Sequence, residues 1–125
     1  GHHYLSHSNN NRAYVEMVTK IDVWYVQQLA YFLEKLEATK DLDGKSLIHN
    51  SQIVYGSGNA DGNRHTHDNL PVILAGNGGG TLAPGRYVQH SPAPVTNLFL
   101  NMLDRVDHGN RLERFGDSTG RLANI

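Results

Sequence analysis

No cysteine occurs among the 125 residues, which excludes disulfides and thiolate metal sites and leaves the redox compartment unread. Net charge is also lacking. Eleven Lys and Arg against twelve Asp and Glu leave −1 at neutral pH, so nothing pulls the chain toward nucleic acid or an anionic membrane. No apolar run approaches the length of a membrane span. The opening GHHYLSHSNNN lacks the charged-then-apolar pattern of a secretory signal. Thirteen Gly and four Pro are too few for a fibrous repeat.

What remains is a chain of one-domain size, 38% apolar and 18% charged, which is enough for a core without staples. Its unusual feature is histidine, eight residues against four lysines.

Residues 1–11 are polar, carry three of the histidines and read as an arm. From Arg12 to Ala38, Tyr14, Val18, Ile21, Tyr25, Leu29, Phe32 and Leu36 recur every three or four residues. Val15, Val26 and Leu33 widen the stripe, so the spacing predicts a long amphipathic helix. Asp41 to Gly44 supplies turn chemistry at its end.

Gln52–Tyr55 and Leu70–Ala75 read as short strands. The second is continuously apolar, as in a strand buried on both faces, with Pro71 at its start or edge. Arg86–Gln89 is a third candidate strand. Leu98, Phe99, Met102, Leu103 and Val106 mark a second helix over 95–107, with Thr96 as its cap. The tail 111–125 has Phe115 and Leu122 as anchors.

The fold class expected is α/β: one domain over 1–125, with a two- or three-stranded core sheet inside 52–89 covered by the two helices. The strand connection holds no helix, which speaks against a standard parallel crossover.

The chemistry concentrates in the loop 56–69. Asp61-Gly62-Asn63-Arg64-His65-Thr66-His67-Asp68 places two imidazoles and two carboxylates in eight residues. In an extended stretch, side chains two apart point the same way, so His65 and His67 suit one metal, with Asp61 or Asp68 adding oxygen. Imidazole plus carboxylate without thiolate suits divalent Zn, Mn, Fe or Cu. Solvated loop residues are the bland alternative.

His2, His3 and His7 form a second cluster around Ser6. Gly1-His2-His3 matches a terminal copper and nickel motif, which a cleavage scar would also leave. Ser6 beside His3 and His7 is read as solvated rather than nucleophilic. Gly76–Gly80 and Gly116–Gly120 read as turns rather than anion loops. His49, His90 and His108 are isolated and expected at the surface. Arg64 is expected to pair with Asp61.

Several runs together resemble the C-terminal part of the bacterial HXXSHH family, a large domain of unknown function. They are SQIVYGSGNADGNRHTHDNLPVILAGNGGGTLAPGRYV, NLFLNMLDRV and ERFGDSTGRL. The helix ending QQLAYFLEKLEAT also fits. The name-giving motif falls on His3-Tyr4-Leu5-Ser6-His7-Ser8, with Ser8 in place of the last histidine. Members are longer and usually exported. The resemblance therefore implies a C-terminal module, either cut out or free-standing, in a family usually exported. A missing N-terminal portion or a second copy is the partner expected if the module is a binding domain.

That family is in turn distantly similar to the alkaline phosphatase and sulfatase superfamily. There a strand ends in a metal-binding Asp-His, followed by His-Thr and a Val-Pro strand. His65-Thr66 before Leu70-Pro71-Val72 has that spacing. Gly56-Ser57-Gly58 occupies the place of Asp-His. The resemblance thus implies His65 as a ligand in an alkaline-phosphatase-like fragment and does not carry over the two-metal reaction.

The function expected is a metal-binding module of metallohydrolase descent, with His65, His67 and Asp61 joined by His3 or His7. Its substrate would be an ester, phosphate or sulfate. The alternative is a non-catalytic binding or self-assembling domain, and copper redox chemistry ranks below both.

Overall fold

The structure, a computed structural model, describes residues 1–106 and 111–125. His108, and Asp107 at the end of the expected second helix, lie outside the described residues. The order is α1 (His2–Ser6), α2 (Arg12–Ala38), α3 (Leu47–Asn50), β1 (Ile53–Gly56), β2 (Val72–Ala75) and α4 (Thr96–Val106). A mixed α/β chain is what the sequence predicts. β1 and β2 form a two-stranded antiparallel sheet. No helix among the described residues is long and apolar enough to cross a membrane.

Two compact units result, one of residues Gly1–Leu47 and Val54–Leu74, the other of Ile48–Ile53 and Ala75–Ile125.

In the first unit, α2 begins where Asn11 turns extended and its side-chain oxygen accepts the N–H groups of Ala13 and Tyr14, satisfying donors that a helix start leaves free. It ends where the Thr39 hydroxyl and N–H both donate to the Lys35 carbonyl. Of the predicted stripe, Tyr14, Val18, Ile21, Leu29, Leu33 and Leu36 are half-buried, whereas Val15, Tyr25, Val26 and Phe32 are exposed.

No residue of α2 is buried, however, and the element it packs against is α1. The expectation that α2 covers the sheet is corrected here. Its 27 residues extend about 40 Å, whereas a four-residue strand extends about 13 Å. So short a sheet offers too little surface to cover it.

The strand reading needs two further corrections. Val72 and Ile73 of β2 are exposed, so β2 is not buried on both faces. Arg86–Gln89 forms no strand; Pro84 before it, and Pro92 and Pro94 after it, would confine any ladder to a few residues. Pro71 does sit just before β2. A Cβ on Gly56, the last residue of β1, would lie 2.9 Å from the Pro71 carbonyl, so glycine permits the strands to close there.

The second unit is built on α4. Leu98, Leu100 and Leu82 are buried, Leu100 completely. Val106, expected in the stripe, is 73% exposed. With Phe99, Met102 and Leu103 it borders an open apolar cavity of about 350 Å³, which is why those side chains are only half-covered. The Thr96 hydroxyl donates to Asp117 rather than capping the helix. Polar side chains of α4 hold the tail. Asn97 Oδ1 accepts the Thr119 N–H at 2.8 Å, Asn101 bonds both backbone groups of Leu122, and Arg105 donates to the Asn101 and Ile125 carbonyls.

Candidate metal site

The histidine loop folds as a tight hairpin. Asp61 and Thr66 pair as an antiparallel bridge, and the Ala60 N–H donates to the Thr66 carbonyl at 2.8 Å. Asp61 Oδ1 accepts the N–H groups of Asn63 at 2.8 Å and Arg64 at 3.3 Å, the turn that an aspartate side chain builds by standing in for a backbone carbonyl. Asp61 Oδ2 lies 3.8 Å from Arg64 Nε in an exposed pair, the partner expected for Arg64. Asp61 therefore shapes the turn.

His65 takes a left-handed conformation, φ 53°. That breaks the extended alternation on which a His65/His67 ligand pair rests, and the two rings go to different partners. His67 Nδ1 lies 2.5 Å from the Gly58 carbonyl, to which it donates. His65 meets the arm instead: its Nε2 lies 3.3 Å from His7 Nε2, with ring centroids 4.9 Å apart. The His3 ring stands edge-on to His7, also at 4.9 Å. Three imidazoles thus follow one another edge-to-face, two from the arm and one from the loop. Residues 58 apart in sequence meet here, which no spacing argument reveals.

The arm is anchored locally. α1 precedes His7, and Ser6 Oγ donates to the His3 carbonyl at 2.7 Å. That hydroxyl is committed to backbone rather than to an imidazole. Tyr4 and Tyr14 share a hydrogen bond of 3.3 Å, which raises the Tyr14 phenol above its ordinary pKa, with the charge of Tyr4 and slight burial adding in the same direction. The His2 ring lies 5.9 Å from Tyr25.

Among the described residues, no three His, Asp or Glu side chains converge at one point as a ready metal cage. Asp68 is exposed. The other histidines lie apart: His90 is exposed, whereas His49 is half-buried and hydrogen-bonds Asn77 at 3.2 Å, a correction to its expected place at the surface. The asparagine beside the glycine run was the signal for that contact.

The glycine run is a turn. Gly78 N–H donates to Ser51 and Gly80 N–H to Asn77, so two of its N–H groups are already engaged. The turn expected at Gly116–Gly120 is present as well, with Ser118 Oγ accepting the Phe115 N–H at 2.8 Å.

Comparisons with protein families, with curated proteins and with solved structures gave no match.

Proposed function

We propose that the first unit is a metal-binding module in which His7 and His65 clasp one divalent ion, with His3 as the nearest third donor. The supporting observation is the 3.3 Å between the two Nε2 atoms. Two metal–nitrogen bonds of about 2.0–2.1 Å at a tetrahedral angle set their nitrogens about 3.3–3.4 Å apart. The His7–His65 pair already has that bite. The His3 ring, edge-on to His7 with centroids 4.9 Å apart, is the third imidazole of the cluster. An all-imidazole set favours Zn or Cu over Mn, and His67 and Asp61 serve the loop rather than the metal.

The metallohydrolase part of the reading rests on the resemblance of His65-Thr66 and Leu70-Pro71-Val72 to the alkaline phosphatase and sulfatase pattern. A metal held by few protein ligands activates a water near neutral pH, which suits esters, phosphates or sulfates as substrates. The resemblance to the HXXSHH family, whose members are usually exported, supports an exported setting.

The test is metal content by elemental mass spectrometry on untagged protein after Zn loading and desalting. One equivalent is expected in the parent and in His67→Ala, and none in His7→Ala/His65→Ala. Equal uptake by parent and double variant removes the reading. The second reading, self-association without catalysis, then takes its place, favoured by Trp24, Tyr31 and Phe32 standing exposed along α2.

A further inference from the structure

We infer that the metal acts as a latch holding the arm on the loop, and that Gly62 is the positioning residue that lets the latch close. This rests on the His7–His65 metal reading. Apart from the metal, the arm rests on α2 through the exposed Tyr4–Tyr14 hydrogen bond and the His2–Tyr25 ring contact. α1 has five residues, no side-chain cap and no buried residue, and so short a helix is not stable alone. Its ties to the loop fall within four consecutive residues. The Asn9 N–H donates to Asn63 Oδ1 at 3.0 Å, His7 meets His65, and Gly62 lies directly against Ser6.

A Cβ at Gly62 would sit 3.0 Å from the Ser6 carbonyl oxygen and 3.1 Å from Ser6 Cβ. Both are tighter than ordinary van der Waals separation, so Ser6 must give by a few tenths of an ångström to admit a methyl. Gly62 is not in the left-handed region, so alanine suits its backbone. What alanine disturbs is the seat of the arm. Since Ser6 directly precedes His7, a methyl at position 62 pushes His7 away from His65 without altering any ligand. Metal binding and arm docking are then two readings of one equilibrium, each strengthening the other.

The experiment compares the parent, Gly62→Ala and Gly58→Ala, whose added methyl meets nothing within 4 Å. Zn affinity is measured by competition with a chromophoric chelator. Amide deuterium exchange of residues 2–9 is followed with and without Zn. In the parent, Zn slows exchange in the arm. Gly62→Ala loses about ten-fold or more in Zn affinity, the scale seen for residues that orient ligands, and needs correspondingly more Zn to protect the arm. Gly58→Ala behaves as the parent.

Asn63→Ala, which removes the Asn9 acceptor and adds no bulk, shifts arm exchange in the same direction by less. Circular dichroism confirms that α2 is intact in each variant. Parent-like Zn affinity and arm protection in Gly62→Ala overturn the latch and leave the metal reading standing. No Zn uptake by the parent overturns both.

Discussion

Asn101 grips Leu122 by both of its backbone groups. Asn101 Oδ1 accepts the Leu122 N–H at 2.7 Å, and Asn101 Nδ2 donates to the Leu122 carbonyl at 3.1 Å. The side-chain amide takes the place of a neighbouring strand, so a tail without regular structure satisfies its backbone on a helix. Asn101 is itself buried, so truncation leaves two backbone groups unpaired, each costing about 1–3 kcal/mol. Asn101→Ala is expected to lose about 2 kcal/mol or more in urea unfolding. Asn101→Asp retains the acceptor but turns a carboxylate oxygen toward the Leu122 carbonyl. It is expected to be no more stable than Asn101→Ala at neutral pH, recovering as the carboxyl protonates and regains a donor.

One turn along, Arg121 donates to both oxygens of Asp104, with Nη2 at 2.7 Å from Oδ1. Those hydrogen bonds lower the Asp104 pKa, burial opposes them, and the charges of Arg121, Arg111 and Arg105 add to the lowering. A carboxyl depressed in the folded state stabilises above its unfolded pKa of about 3.9, and that stability is lost as pH falls through the folded value. Asp104→Asn should therefore lower Tm at pH 7. The difference from the parent should shrink steadily below about pH 4. Melting curves across that range read it directly, and a difference that persists unchanged into acid would contradict the assignment.

Leu100 and Val106 reverse the ranking that helical spacing assigns them. Leu100 is fully buried and Val106 is 73% exposed. Leu100→Ala should cost about 2–5 kcal/mol, as for other leucines cut from a core. Val106→Ala should stay within about 0.5 kcal/mol of the parent. Guanidinium unfolding of the two variants side by side checks both.

Local rules carried the long helix well. The recurrence from Tyr14 to Leu36 places the helix and much of its less exposed face, because 3.6-residue periodicity is settled within a few residues. Periodicity identifies a face, however, and not what covers it. Hence α2 is helical where expected and unburied where burial was expected. The histidine loop failed differently. Alternation holds only in extended backbone, and the turn begun at Asp61-Gly62-Asn63 ends with His65 in a left-handed conformation. His65 and His67 therefore go to different partners, and His7 meets His65 only through the docking of the arm. The tail read as loop, since the asparagines that hold it look in the sequence like ordinary polar residues of a helix surface.

The burial pattern of the first unit has a thermal consequence. Among its described residues the one buried side chain is Ser46, whose hydroxyl donates to Glu37 at 2.7 Å, while the buried leucines all belong to the second unit. The heat capacity gained on unfolding comes mainly from hydrating apolar surface. A unit that conceals little such surface gains little. Its free energy therefore varies gently with temperature, giving a low, broad stability curve without the sharp calorimetric peak of a leucine-packed core.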